Sequence, residues 1–164
     1  MKVAVVMGSK SDYPVVQKAE DILKDFEIEF ETRIISAHRT PKIAAEFAEN
    51  AEASGIEVII AAAGKAAHLA GVLAAGTPLP VIGLPVKSST LDGLDSLLSV
   101  VQMPKGIPVA TVAIDGAENA ALLAIQIMSL KYPALRTAMK EYKGKMEKEI
   151  IAADGEFRSG KEDK

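Results

Sequence analysis

Cysteine is absent from the sequence, and only two of its 164 residues are histidine. Without thiols the chain has no disulfide framework and no thiolate chemistry, and two histidines are poor material for a structural zinc site. The net charge of −3 leaves no basic footprint for nucleic acid. These absences argue against thiol enzymes, zinc-stabilised domains and nucleic-acid-binding proteins.

Long hydrophobic runs are also missing, since no stretch reaches the roughly 18 apolar residues of a membrane span. The apolar run that follows Met1 and Lys2 is too short for the core of a signal peptide. A soluble cytoplasmic protein without a membrane partner is therefore expected. Hydrophobic residues make up 49% of the chain and aromatic residues only 4%, so the core of this one expected domain must be aliphatic.

Short apolar runs alternate with helical patterns along the chain, which predicts a doubly wound α/β fold with a parallel sheet. The second run alternates with glutamates at first, as is typical of an edge strand with one wetter face. A single domain is expected over residues 1–153, and the polar tail 154–164 is expected to be disordered. The predicted strands are 3–7, 28–35, 58–62, 80–84 and 109–114. The predicted helices are 13–26, 41–54, a short one ending near Gly76, 91–101, 119–130 (apolar nearly all round and so buried or in a subunit contact) and a long last one over 133–153.

With strand order 2-1-3-4-5, the loops after strands 1, 2 and 3 meet at the carboxyl edge of the sheet, where open α/β folds bind ligands. The first loop holds Ser9, Ser11 and Asp12 at a helix start, where backbone amides and hydroxyls bind anions. It is neither a GxGxxG fingerprint nor a P-loop. Asp12 has two possible roles, a helix N-cap or an acceptor for a ribose diol.

The second loop places Ser36, His38 and Arg39 between a strand and a helix that Thr40 is positioned to cap, with Pro41 in the first helical position. An imidazole is suited to proton transfer, and a guanidinium is suited to a phosphate. The alternative is a hydrogen-bonded junction histidine beside a solvated arginine.

The third loop is nearly all glycine and alanine around Lys65 and His68. Small residues let the backbone approach a planar ligand closely, although close packing of helix on sheet also requires them. Lys65 is either solvated or directed at a carboxylate.

Six separated motifs resemble those of the PurE family, in particular its bacterial class I branch, and the resemblance spans residues 2 to about 150. It implies a flavodoxin-like three-layer αβα sandwich and a homo-octamer with active sites at subunit contacts. The motifs are GSKSD (8–12), SAHRTP (36–41), AAHL (66–69), PVIGLPV (80–86), GLDSLLSVVQMP (93–104) and NAALLA (119–124).

The resemblance further implies an isomerase of purine biosynthesis that needs no cofactor or metal. It would convert N5-carboxyaminoimidazole ribonucleotide into 4-carboxy-5-aminoimidazole ribonucleotide, through loss of CO2 and its recapture at C4. His38 matches the catalytic histidine and would take the C4 proton, as an imidazole with a pKa near about 6.5 can. The expected substrate-binding residues are Ser9, Ser11, Asp12, Ser36, Arg39, Ala63, Gly64, Lys65, His68 and Leu69.

Lys65 and Ala70 depart from the class I pattern, which usually has glycine and proline there. Class II enzymes, which carboxylate the ribonucleotide directly with CO2, tend to have a basic residue at position 65. Arg39 and His68 favour class I. A direct carboxylase therefore remains an alternative, as does a non-catalytic nucleotide or FMN binder, although the three loops hold no aromatic residue to sandwich a flavin. A purely structural assembly module would leave the cluster at 36–41 unexplained.

Overall fold

The computed structural model describes residues 1–89 and 91–162. Its centre is a parallel five-stranded sheet in the order β2-β1-β3-β4-β5, with helices on both faces, which confirms the predicted fold class and strand order. The strands are β1 (Lys2–Met7), β2 (Glu29–Ile34), β3 (Val58–Gly64), β4 (Val81–Val86) and β5 (Ala110–Thr111). The helices are α1 (Tyr13–Asp25), α2 (Pro41–Asn50), α3 (Leu69–Gly76), α4 (Leu94–Val101), α5 (Ala117–Met128) and α6 (Pro133–Glu162).

The three central strands are apolar on both faces because both faces are covered. Along β1, Val3 and Val5 pack into one core together with α1 and α5, whereas Ala4 and Val6 pack into the other together with α2 and α3. This alternation follows the two-residue period of a strand. The apolar helix α5 is buried through its alanines, as the sequence predicts.

Of the two outer strands, one agrees with its prediction and the other is shorter than predicted. β2 is an edge strand with only partly buried or exposed residues, as its alternating pattern indicates. β5 has two residues in place of the predicted 109–114, although the Val112 amide still donates to the Gly83 carbonyl at 3.1 Å. The chain then turns at Asp115, which has a positive φ of 56°.

The disorder expected for the tail 154–164 is wrong up to Glu162, because α6 continues unbroken from Pro133 for 30 residues. Four residues of this segment, Glu156, Arg158, Lys161 and Glu162, are good helix formers, and they extend a helix that is already formed at Pro133. Pairs one turn apart add support, such as Arg158 with Asp154 at 3.9 Å. The last two residues of the expected tail lie outside the described residues. Within the described ranges, no helix combines the length and the hydrophobicity that a bilayer crossing requires.

Small residues let helix α4 approach strand β4 closely. A Cβ added to Gly83 of β4 would overlap Val100 of α4 and lie 2.9 Å from Val109 Cγ1. We therefore expect Gly83→Ala to lower the free energy of unfolding by about 1–3 kcal/mol, the usual cost of overpacking, as measured by urea denaturation.

The matched control for this substitution is Gly144→Ala, where the added methyl group would have no neighbour within 4 Å. Alanine is the better helix former there, so the control should gain up to about 1 kcal/mol. Wild-type stability in Gly83→Ala would show that the sheet and α4 tolerate a wider spacing.

Candidate active site

The loops that follow β1, β2 and β3 meet at the carboxyl edge of the sheet and surround a cleft of about 660 Å³. This volume is in the range of pockets that hold small-molecule ligands. All of the expected site residues line the cleft, so the structure brings together what the sequence separates by up to 60 positions (from Ser9 to Leu69). The structure shows that these residues line the cleft, and that they bind substrate stays a prediction.

The first loop is closed by its own hydrogen bonds. The Ser9 hydroxyl accepts from the Ser11 amide at 3.3 Å and lies within hydrogen-bond distance of the Ser11 hydroxyl, at 2.9 Å. The Asp12 carboxylate turns back and accepts from the Ser9 amide at 3.1 Å. Asp12 occupies the N-cap position of α1, but its side chain makes no capping hydrogen bond to that helix. The prediction that Asp12 caps α1 is therefore wrong, because its carboxylate binds the Ser9 amide instead.

Asp12 is also the buried carboxylate of the cleft, with 8% of its surface exposed. Burial raises the pKa of its carboxyl, since a buried charge loses solvation. Hydrogen bonds from Ser11 and Ser9 and the charge of Arg39 act in the opposite direction but do not cancel it.

The second loop is held by Thr40 and Ser36. The Thr40 hydroxyl accepts from the Ser36 amide at 3.1 Å and donates to the Ser36 carbonyl at 2.9 Å. Thr40 is the N-cap residue of α2, as predicted, but its hydroxyl makes no capping hydrogen bond to the helix. The hydroxyl binds the backbone of Ser36 instead, so the predicted capping bond is wrong. Pro41 does occupy the first turn of the helix.

Arg39 joins the second loop to the first. Its Nε donates to the Ser36 hydroxyl at 3.3 Å, and its Nη2 donates to the Gly8 carbonyl at 3.1 Å. These bonds hold the guanidinium at the cleft and leave further N–H groups of its fork for an anion.

The two histidines join the second loop to the third. His38 Nε2 lies 2.9 Å from His68 Nδ1, and the rings meet edge to face at 73°. One nitrogen must donate and the other accept, so the tautomers of the two rings are linked. A proton on either ring is therefore one hydrogen bond away from the other.

The third loop contains both residues that depart from the class I pattern, Lys65 and Ala70. Lys65 has a positive φ of 56°, a region that glycine adopts freely and that costs other residues roughly 1–2 kcal/mol. Ala70 is buried in α3, and its Cβ would lie 3.6 Å from a Cβ placed on Gly83. A small side chain suits this close contact of helix and sheet.

A fourth loop, after β4, contributes residues that the sequence analysis did not assign to the site, namely Lys87, Ser88 and Ser89. The Lys87 amide donates to Asp115 Oδ1 at 2.8 Å, and its ammonium pairs with Asp92 at 3.1 Å. The place of β4 beside β3 in the predicted strand order could have identified this loop, because the carboxyl end of β4 lies at the same edge of the sheet.

Within 1–89 and 91–162, no group of three or more histidine, aspartate or glutamate side chains is arranged to hold a metal ion.

The raised pKa of Asp12 predicts a specific pH dependence of stability. The folded state binds this proton more tightly than the unfolded chain, so the free energy of unfolding falls as pH rises from 3.8, the ordinary value, through the raised pKa. Asp12→Asn keeps an oxygen for the Ser9 amide and removes the titration. Urea denaturation of both proteins across this window should show wild type losing stability relative to the variant, and the opposite trend would contradict the assignment.

Comparison with known proteins agrees with this geometry. The family described as AIR carboxylase matches residues 2–149. N5-carboxyaminoimidazole ribonucleotide mutase of Pyrococcus abyssi is 60% identical over 147 residues, covering 90% of this chain and 84% of that protein. The mutase of Thermotoga maritima is 57% identical over 150 residues, covering 92% and 88%. The crystal structure of Treponema denticola PurE superimposes with a TM-score of 0.87 at 32% identity, covering 94% of this chain and 97% of that one. The chain therefore belongs to the AIR carboxylase family, the PurE family that its motifs resemble.

Proposed function

We propose that the protein is an isomerase that converts N5-carboxyaminoimidazole ribonucleotide into 4-carboxy-5-aminoimidazole ribonucleotide in purine biosynthesis. The observation that carries the proposal is the hydrogen-bonded pair of His38 and His68 in one cleft with Arg39. A proton-transfer group and an anion-binding group therefore face the same ligand-sized space. Relatives 57% and 60% identical to the chain are named for this reaction.

The cleft offers a partner for each part of the ribonucleotide. The guanidinium of Arg39 and the serines of the first loop suit the phosphate, because they present several donors to one anion. The carboxylate of Asp12 suits the ribose diol, whose hydroxyls donate hydrogen bonds. The aminoimidazole ring then lies toward the two histidines.

The reaction needs two proton transfers, one from His38 to N5 and one from C4 to His38. When the N5–carboxylate bond breaks, the electron pair stays on N5, and protonated His38 donates a proton there as CO2 leaves. The electron-rich C4 then attacks CO2, and neutral His38 removes the C4 proton so that the ring regains its aromaticity. His68 holds the imidazole of His38 in place through their shared hydrogen bond. Ala63, Gly64 and Leu69 give the cleft an apolar wall that would keep CO2 near the ring.

Direct carboxylation of aminoimidazole ribonucleotide by CO2 is the second candidate. Its basis is the basic Lys65 in the cleft, since class II enzymes tend to have a basic residue at this position, but the relatives 57% and 60% identical to the chain are named as mutases and do not favour it.

An assay separates the two candidates. The purified protein is given N5-carboxyaminoimidazole ribonucleotide without ATP and without added bicarbonate, and the formation of the 4-carboxy product is followed by absorbance. Conversion independent of bicarbonate supports the isomerase. A rate that appears only with the uncarboxylated ribonucleotide and rises with bicarbonate would replace it with the carboxylase.

His38→Asn tests the catalytic assignment. The variant keeps a hydrogen-bonding side chain but loses the general acid and base, so kcat should fall by roughly 10²–10⁴-fold or more while substrate binding persists. Arg39→Ala serves as the comparison, since loss of an anion contact should mainly raise KM. Appreciable turnover in His38→Asn would remove His38 from this role.

We also propose that the protein works as a homo-oligomer, an octamer by its resemblance, in the cytoplasm. Four apolar side chains lie exposed along the segment that contains α4, namely Leu91, Leu94, Leu98 and Val101. Leu94, Leu98 and Val101 are spaced by four and three residues within α4 and so form a stripe on one face of that helix, and large exposed apolar patches are typical of interfaces. A substrate with a phosphate and a carboxylate does not cross a bilayer unaided, which favours the compartment where it is made.

Leu98→Glu tests this interface, because a carboxylate in the stripe would be buried between copies without a partner. Light scattering coupled to size exclusion should show a shift to smaller species. Gln17→Glu is the control, since it adds the same charge at an exposed position of α1. An unchanged assembly in Leu98→Glu would exclude the α4 stripe as the contact.

A further inference from the structure

Lys65 is the one non-glycine residue of the cleft lining that has a positive φ, among the residues that the structure describes. Two of the other left-handed residues, Glu27 and Asp115, have a local reason for this conformation. Glu27 ends α1, where its amide donates to the Lys24 carbonyl at 2.9 Å. Asp115 accepts from the Lys87 amide at 2.8 Å and donates its own amide to the Pro85 carbonyl at 2.9 Å.

The side chain of Lys65 receives no such local compensation. Three lysine or arginine side chains line the cleft, and two of them are engaged, Arg39 with Ser36 and Gly8, and Lys87 with Asp92. Over 1–89 and 91–162, Lys65 makes no side-chain hydrogen bond or ion pair. A strained residue with an unused charge in a ligand cleft indicates a role in binding rather than in folding.

Its position indicates which part of the ligand it meets. Lys65 lies three positions before His68 and directly before the turn 66–68, which the His68 amide closes by donating to the Ala66 carbonyl at 2.9 Å. Arg39, in contrast, is tied to Gly8 in the first loop. Lys65 is therefore on the same loop as His68, one of the paired histidines toward which the proposed reaction places the migrating carboxylate, whereas the Arg39 guanidinium is bound at the first loop, with the serines.

We propose that Lys65 is a specificity residue whose ammonium binds the carboxylate of the carboxylated ribonucleotides, so that the cleft prefers them over the uncarboxylated one. The inference rests on the proposed function, because it uses the assignment of the aminoimidazole ring to the histidine side of the cleft. It goes beyond that function by naming Lys65 as the residue through which the cleft distinguishes the carboxylated substrate and product from the uncarboxylated ribonucleotide.

Binding of two ribonucleotides tests this role by calorimetry. The first is 4-carboxy-5-aminoimidazole ribonucleotide, and the second is 5-aminoimidazole ribonucleotide, which has the same phosphate and ring but no carboxylate. In Lys65→Gly, affinity for the first should fall about tenfold, as expected for a lost charge-assisted contact, and affinity for the second should change less than twofold. Lys65→Arg, which keeps a cation, should retain most of the preference.

Glu27→Gly is the matched control, because it replaces another left-handed residue, with φ 55°, that lies outside the cleft. Both glycine variants should unfold at the same denaturant concentration as wild type or a higher one, since glycine adopts this conformation freely. Only Lys65→Gly should alter binding.

Two results would overturn the inference while the proposed function stands. An equal loss for both ribonucleotides would assign Lys65 to the phosphate, and an unchanged preference in Lys65→Gly would remove it from recognition. If the wild-type protein binds neither ribonucleotide, the proposed function fails and this inference fails with it.

Discussion

Parallel pairing of β1 with both β2 and β3 is the constraint on which the site depends. The register sets Met7 opposite Ile34 on one side and Ala62 on the other, so β1 and β2 end together and β3 ends two residues later, at Gly64. The backbone continues this alignment past the strand ends, since the Gly8 amide donates to the Ala62 carbonyl at 3.0 Å and the Ile35 amide to the Met7 carbonyl at 2.9 Å. Each loop thus leaves the sheet at a fixed position relative to its neighbours, before any side chain contributes.

Side-chain contacts then join the loops in pairs. Arg39 binds the carbonyl of Gly8, and His38 binds His68. The second loop is therefore common to both contacts. Under the proposed function, adjacent residues of this one loop supply the group for the phosphate and the group for proton transfer.

The sequence predicts the sheet well because apolar runs and their order depend on local pattern. Val3–Val6 and Val58–Ala62 are apolar throughout, and only a strand covered on both faces explains this. It predicts less well where tertiary contacts decide the outcome. Thr40 is in the right place to cap α2, but its hydroxyl is engaged by Ser36, a choice that no local pattern shows. The helical state of residues 154–162 was missed because charged composition alone does not separate an exposed helix from a disordered segment.

Asp12 shows why a structural role and a binding role need not compete at one residue. An ionised carboxylate has about four lone-pair sites. Within its loop Asp12 uses one oxygen for the Ser9 amide at 3.1 Å and the other for the Ser11 hydroxyl at 3.3 Å. Acceptor capacity therefore remains for a diol, while the same bonds keep the carboxylate from rotating away. The burial that raises its pKa also means that a donor from a ligand would meet little competition from water. Under the proposed function, the hydrogen bonds that close the first loop would therefore also hold Asp12 ready for the ribose.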